Sequence, residues 1–285
     1  MCSTCGCSEG AKPRVTKMAE PQPPSRSQPD SHPHQHEGHS HTGEHHHGEG
    51  HLNHTHEHPH DDSSHRTIRL EQDILAKNNR LAERNRGWLE GRNIFAVNLM
   101  SAPGAGKTML LERTVRDLGA QTTICVIEGD QETVRDAERI RATGCRVIQI
   151  NTGTGCHLDA GMVGRALREL DPPSGSLLFI ENVGNLVCPA LFDLGEASRA
   201  VIMSVTEGED KPLKYPHIFR VADTLVLSKA DLLPHLEFDL GRCLEYARRI
   251  NPKLKVVHLS ALRGIGLEPW YAWLRKRGES APELS

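Results

Sequence analysis

The sequence predicts an α/β fold in which a mostly parallel sheet carries helices on both faces, and two alternating patterns support this. Seven apolar runs rich in Val, Ile and Leu lie at 94–100, 122–127, 146–150, 176–181, 199–205, 224–228 and 255–260. Helical patterns separate most of these runs, at 109–118, 132–142, 158–170 and 240–250. Such alternation of strands and helices is typical of a parallel sheet that is covered on both sides.

The first 65 residues have a different composition from the rest of the chain. They hold 14 of the 18 histidines and few large apolar side chains, so they cannot bury enough surface to offset the entropy of ordering. We therefore predict a cysteine motif at 1–10 and a disordered linker and His-rich tract at 11–65. One folded domain should span 66–285, beginning with a loose amphipathic helix from Thr67.

The charge balance and the hydropathy exclude several classes of function. Residues 66–285 carry 28 acidic and 30 basic side chains, which argues against nucleic acid as a partner. No apolar run reaches the roughly 18–20 residues that span a bilayer, and the first ten residues lack the apolar core of a secretory signal. We therefore expect a cytoplasmic protein without membrane insertion, whose cysteines are reduced and available as metal ligands.

A phosphate-binding loop follows the first predicted strand of the sheet. The segment 101–108, Ser-Ala-Pro-Gly-Ala-Gly-Lys-Thr, lies between a strand and a helix, as a P-loop NTPase requires. Lys107 can reach the β- and γ-phosphates, and the Thr108 hydroxyl can bind Mg²⁺. Ser101 stands where the motif usually has its first glycine. The predicted nucleotide contacts of this loop are Gly104, Ala105, Gly106, Lys107, Thr108 and Met109.

Two later segments indicate which base is bound. Ser228-Lys229-Ala230-Asp231 resembles the guanine-specifying Asn-Lys-x-Asp element of GTPases, with Ser in the Asn position. Asp231 can accept hydrogen bonds from guanine N1–H and the 2-amino group, which adenine does not offer. The Lys229 stem can cover the base, and Ser260-Ala261 resembles the element that contacts guanine O6. Together with the phosphate loop, these segments favour GTP over ATP.

Carboxylates at the ends of two other predicted strands are candidate magnesium ligands. Ile127-Glu128-Gly129-Asp130 is expected to follow the second strand, and Glu181-Asn182-Val183-Gly184 follows a later one. Asp130, Asp136 or Glu181 could hold Mg²⁺, and the sequence leaves this choice open. Gly184 is a candidate γ-phosphate sensor. Since Asn185 replaces the glutamine that orients water in some GTPases, we expect slow intrinsic hydrolysis.

Three groups of side chains could bind soft metals. Cys2, Cys5 and Cys7 can supply three thiolates beside the α-amine, a set that suits nickel, copper(I) or zinc. Cys156 and His157 form a second group with Cys188, because both segments are expected to reach the nucleotide end of the sheet. The histidines of 32–65 form a third group that can buffer metal.

Several long strings of this sequence resemble the HypB family of hydrogenase-maturation GTPases. They are MCSTCGC, IEGDQ, NTGTGCHLDA, LLFIENVGNLVCPA, FDLGE and SKADLLP. The resemblance implies a cytosolic GTPase that dimerises with GTP and cooperates with a small zinc-containing nickel chaperone. It also implies nickel delivery to the hydrogenase large-subunit precursor.

By the same resemblance, two of the thiol groups have different metal affinities. Cys2, Cys5 and Cys7 would form a tight nickel site, and Cys156, His157 and Cys188 a weaker zinc or nickel site at the dimer interface. Three alternatives stay open: a nickel-storage or detoxification protein with a nucleotide-binding fold, a kinase that uses the same loop, and a urease-type nickel-insertion GTPase.

Overall fold

The computed structural model describes residues 14–17, 62–131 and 135–279 of the chain. The chain divides into two compact units, 1–18 with 71–285 and 19–70. The first unit contains the sheet, and the second is described only over the start of a helix at 62–70. The predicted Cys2, Cys5 and Cys7 site and the His tract up to residue 61 lie outside the described residues.

The described residues form eight strands and eight α-helices. The strands are β1 Arg14–Lys17, β2 Phe95–Ser101, β3 Ile124–Asp130, β4 Arg146–Asn151, β5 Leu177–Glu181, β6 Ser198–Ser204, β7 Thr224–Ser228 and β8 Lys255–His258. The helices are α1 Asp62–Glu90, α2 Lys107–Leu118, α3 Arg135–Arg141, α4 Ala160–Leu170, α5 Lys211–Lys214, α6 Pro216–Val221, α7 Leu240–Ile250 and α8 Leu267–Glu279. Two 3-10 segments lie at Cys188–Ala190 and Ala230–His235.

One sheet with strand order β1-β4-β3-β5-β2-β6-β7-β8 organises the domain. Strands β2 to β8 are parallel, and β1 pairs antiparallel with the edge strand β4. Helices α2, α3 and α8 pack apolar side chains on one face, whereas α1, α4, α6 and α7 pack on the other. The predicted α/β fold is confirmed, and all carboxyl ends of the parallel strands meet at one edge.

The differences from the predicted elements occur where the local pattern is short or irregular. Strand β1 falls inside the predicted linker. The sequence does not reveal it, because four residues carry too little alternation to indicate a strand. Val15 of β1 packs against the core beside β4. Helix α1 begins at Asp62, inside the predicted His tract. Strand β3 runs to Asp130 rather than ending at residue 127, so Glu128 lies within the strand and not after it. Among the described helices, none is long and apolar enough to cross a membrane.

Candidate nucleotide and metal sites

The phosphate loop joins the end of β2 to the start of α2 in a shape that depends on two glycines. Gly104 and Gly106 adopt positive φ angles of 73° and 98°, a region that side chains with a Cβ avoid. The Nζ of Lys107 donates a hydrogen bond to Ser101 Oγ at 2.8 Å. Ser101 therefore anchors the lysine from the position that usually holds glycine. Burial lowers the pKa of Lys107, and the neighbouring carboxylate of Glu181 opposes this effect.

Two buried glutamates lie side by side beneath this loop. Glu128 on β3 is the register partner of Glu181 on β5, and their exposures are 2% and 3%. The Thr108 hydroxyl donates to Glu181 Oε1 at 2.8 Å. Oε2 of Glu128 and Oε2 of Glu181 are both buried and have no hydrogen-bond partner among the described residues.

The electrostatics of the glutamate pair follow from this burial. Desolvation raises the pKa of Glu128 to about 9, with further contributions from the charges of Glu181, Asp130 and Asp136. Desolvation also raises the pKa of Glu181 to about 7, against the lowering effect of Lys107. Buried carboxylate oxygens without partners favour a cation nearby.

This donor set fits Mg²⁺, which prefers oxygen ligands from one or two carboxylates and a hydroxyl. Of the three predicted carboxylates, Glu181 contacts Thr108 directly. Asp130 and Asp136 also line the cavity, and Asp136 pairs with Arg139 at 3.3 Å. Glu128 was not among the predicted site residues. Its position in the IEGD string was visible, but only the strand register places it beside Glu181.

The predicted base-reading segment is fastened to the phosphate loop. Ser228 Oγ donates to Ala105 O at 2.5 Å, and Lys229 Nζ donates to Gly104 O at 2.9 Å. Lys229 has a left-handed φ of 56°, which turns the chain at the end of β7. The Ser in the Asn position thus ties the two segments together through its hydroxyl.

A cavity of about 640 Å³ unites these elements. Its walls come from the phosphate loop, the strand ends of β3 and β5, and the two base-reading segments; they include Gly104, Gly106, Lys107, Thr108, Met109, Glu128, Asp130, Glu181, Gly184, Lys229, Asp231, Ser260 and Ala261. Ala105, which is part of the loop, has a buried side chain. The remaining predicted nucleotide contacts therefore face one space of the size of a small-molecule site.

The segment that follows β5 packs directly on the phosphate loop. A Cβ added at Gly184 would lie 3.1 Å from atoms of Pro103, so only glycine allows this approach without a shift of the loop. The same segment continues to Cys188 in the 3-10 turn. Gly184 therefore lies on the same short segment as Cys188, which belongs to the second predicted site.

Cys156, His157 and Cys188 come together as predicted. Their candidate ligand atoms all lie within 4.8 Å of one another, and Cys156 Sγ is 3.7 Å from His157 Nδ1. The His157 ring stacks on Phe192 with 3.9 Å between centroids. Burial lowers the pKa of His157, which favours the neutral imidazole that metals bind. Thiolate and imidazole donors suit nickel or zinc.

Asparagine side chains connect this cluster to the segment after β5. Asn182 Oδ1 accepts hydrogen bonds from Leu158 N at 3.2 Å and from Val183 N at 3.0 Å. Asn185 Nδ2 donates to Cys156 O at 3.4 Å. The loop that carries Cys156 and His157 is therefore hydrogen-bonded to side chains on both sides of Gly184.

Comparison with known proteins identifies relatives of this chain. Residues 95–258 match the family described as "CobW/HypB/UreG, nucleotide-binding domain". The chain is 49% identical over 299 residues to the hydrogenase maturation factor HypB of Azotobacter vinelandii, covering 98% of this chain and 93% of the relative. It is 53% identical over 212 residues to the HypB of Escherichia coli K12, covering 74% and 73% of the two chains.

Two solved structures share the fold. HypB from Archaeoglobus fulgidus has a TM-score of 0.67 at 44% identity and covers 71% of this chain and 99% of its own. HypB from Helicobacter pylori in complex with nickel has a TM-score of 0.67 at 36% identity, covering 73% and 99%. The chain belongs to the HypB family of hydrogenase maturation factors.

Proposed function

We propose that this chain hydrolyses GTP and uses that reaction to bind nickel and deliver it during maturation of a [NiFe]-hydrogenase. The proposal rests on one short segment that connects the nucleotide cavity to the metal cluster. Residues 181–188 begin at the buried glutamate of the nucleotide cavity and end at a cysteine of the metal cluster. The family assignment and the nickel complex of the Helicobacter pylori relative support it.

The residues of the cavity provide the parts that phosphoryl transfer needs. The backbone of 104–109 and the Lys107 ammonium would hold the phosphates, and Thr108 with Glu181 would hold Mg²⁺, with Asp130 close by. A Mg²⁺ ion held by these residues would supply positive charge to offset the negative charge that develops on the phosphates. Asn185 stands where some GTPases have the glutamine that orients water, so the proposed hydrolysis is slow.

Base selection rests on Asp231 and on the segments around it. Its side chain lines the same cavity as Ser260 and Ala261, and a hydrogen bond from Ala230 N to Leu259 O at 3.1 Å holds the two segments together. An aspartate here pairs with the two donors of guanine and would be left unpaired against adenine. The cavity therefore favours GTP.

Nickel is the proposed cargo, and zinc the competing metal. Cys156, His157 and Cys188 form the transfer site in the folded domain, while Cys2, Cys5 and Cys7 form the tight site and the His tract a store. Val187 and Leu191 flank Cys188 and are each 47% exposed. Such apolar side chains around half-buried ligands suit a surface on which a second copy docks in the GTP state, and where the nickel chaperone or hydrogenase precursor receives metal.

The test measures the two activities and their linkage in the full chain. The Cys2/Cys5/Cys7→Ala protein should bind nickel with thiolate-to-nickel charge-transfer absorption, and its affinity should differ between GDP and a non-hydrolysable GTP analogue. Cys188→Ala should remove both the absorption and the difference while GTP binding persists. A chain that binds GTP and nickel with no mutual effect would contradict nucleotide-controlled delivery.

A further inference from the structure

Helix α1 contacts both loops that carry the metal cluster, although it contributes no ligand to it. Its buried side chains Asn78 and Asn85 are 5% and 7% exposed. They lie two helical turns apart on the face that packs against the sheet domain. Their hydrogen bonds go to the backbone of the first residue of α4, where one loop ends, and to the backbone of a second loop, so each amide bridges the two.

The first loop is the one that presents Cys156 and His157. Asn78 Oδ1 accepts from Ala160 N at 2.9 Å, and Asn85 Nδ2 donates to Ala160 O at 2.8 Å. Both polar groups of Ala160, three residues after His157, are therefore held by the helix. Between His157 and Ala160, the backbone N–H of Leu158 donates to Asn182 Oδ1 at 3.2 Å.

The second loop is the one that follows Cys188 and carries Phe192, the ring that stacks on His157. Asn78 Nδ2 donates to Asp193 O at 2.7 Å, and Asn85 Nδ2 donates to Leu194 O at 3.0 Å. Arg86 adds bonds to Asp193 Oδ2 at 2.6 Å and to Glu196 O at 2.7 Å. The same two amides thus hold Ala160, three residues after His157, and the two residues that follow its stacking partner Phe192.

Two glycines show how closely the loops approach the helix. A Cβ at Gly195, whose φ is +90°, would lie 2.5 Å from Ala82 O, and a Cβ at Gly164 would lie 2.7 Å from Asn85 Oδ1. Real side chains do not tolerate such distances. The backbone of the second loop and the start of α4 are therefore seated directly on α1, which leaves little freedom in their spacing.

We propose that Asn78 and Asn85 are positioning residues of the Cys156–His157–Cys188 site, and that α1 sets the spacing between the two ligand-bearing loops. This inference rests on the proposed metal binding at that cluster. Groups that orient metal ligands from outside the coordination sphere typically change metal affinity about 10- to 100-fold when they are removed. Here the effect passes through the backbone at Ala160, Asp193 and Leu194 to His157 and Phe192.

The experiment uses the full chain with Cys2, Cys5 and Cys7 replaced by Ala. Thiolate-to-nickel absorption reports the cluster, because imidazoles of the His tract do not give that band and Cys125, Cys145 and Cys243 are buried. Asn85→Ala and Asn78→Ala are each added to this parent. The matched control is Asn251→Ala, since Asn251 Nδ2 also donates to several backbone carbonyls, those of Phe219, Arg220 and Ala222.

Asn85→Ala and Asn78→Ala should weaken nickel binding in this band by at least about tenfold, whereas GTP affinity stays within about twofold. Asn251→Ala should lower the urea midpoint to a similar extent and leave nickel affinity at the parent value. Equal nickel affinity in parent, Asn78→Ala and Asn85→Ala overturns the inference. If Asn85→Ala does not fold, Asn78→Ala alone decides. A parent without the band would instead contradict the proposed metal site, so the two failures are distinguishable.

Discussion

The nucleotide cavity and the metal cluster lie at the same edge of the sheet but are built in different ways. The cavity takes its charged groups from strand ends and one contiguous loop, and Glu128, Thr108 and Glu181 are almost fully buried. The cluster takes half-buried ligands from two loops. Side chains of α1, a helix far from these loops in the sequence, donate hydrogen bonds to their backbone. The first arrangement suits the fixed geometry that the proposed hydrolysis needs, and the second suits the proposed uptake and release of a metal.

The largest expected effect is a loss of GTP hydrolysis that leaves nickel binding at the metal cluster intact. Lys107→Ala should lower kcat for GTP hydrolysis by at least about 100-fold, because removing one preorganised charge from a transition state costs about 10²–10³. Nickel absorption at the Cys156–His157–Cys188 cluster should be retained in the same variant. The measurement is phosphate release beside a nickel titration.

Lys214→Ala is the control for that change, since this lysine is exposed and pairs only with Asp210 in the described contacts. It should hydrolyse GTP like the parent. Loss of the nickel band in Lys107→Ala would show that the two regions are not separable and would contradict the comparison.

A smaller effect should change which nucleotide binds without changing the metal site. Asp231→Asn should weaken GTP by about 100-fold, because each hydrogen bond to a charged group contributes about 1.5–3 kcal/mol. Xanthosine triphosphate should gain affinity, since the amide offers a donor to the oxygen at C2. Competition binding with both nucleotides tests this, with Asp239→Asn at the α7 cap as the control. Continued preference for GTP would refute the assignment of Asp231.

The difference between the regions also explains what the sequence could predict. The phosphate loop is one continuous string between a strand and a helix, so Lys107 and Thr108 were identifiable from local chemistry. Glu128 was missed because its partnership with Glu181 depends on strand register, which composition does not reveal. The contacts of Asn78 and Asn85 join residues far apart in the chain. A helix pattern shows a buried face but not which loop carbonyls lie against it.

The connection between the regions should depend on Asn182. Its side-chain oxygen joins the β5 end to Leu158 N, so Asn182→Ala should reduce the ratio of nickel affinities in the GDP and GTP-analogue states. Allosteric couplings are typically about 5- to 150-fold, and the variant should approach a ratio of one. An unchanged ratio in Asn182→Ala would place the coupling in another contact.

The smallest expected effect concerns the stability of the cavity itself and its dependence on pH. Burial raises the pKa of Glu128 from 4.5 to about 9. Between these values the unfolded chain releases a proton that the folded chain retains, so the free energy of unfolding falls as pH rises from about 4.5 to about 9. Glu128→Gln cannot ionise and has nearly the same shape, so it should remove this contribution.

We expect the free energy of unfolding of Glu128→Gln to exceed that of the parent by at least about 1 kcal/mol at pH 8, since one pKa unit corresponds to about 1.4 kcal/mol. Near pH 5 the two proteins should be almost equal. Urea unfolding without Mg²⁺ or nucleotide measures this, with the exposed Glu237→Gln as control. A variant that is less stable than the parent at pH 8 would mean that the Glu128 carboxylate stabilises the fold. In that case the ionised Glu128 would not be unfavourable in the cavity, and a bound cation would have no such charge to offset. The electrostatic difference between the cavity and the metal cluster would then be refuted.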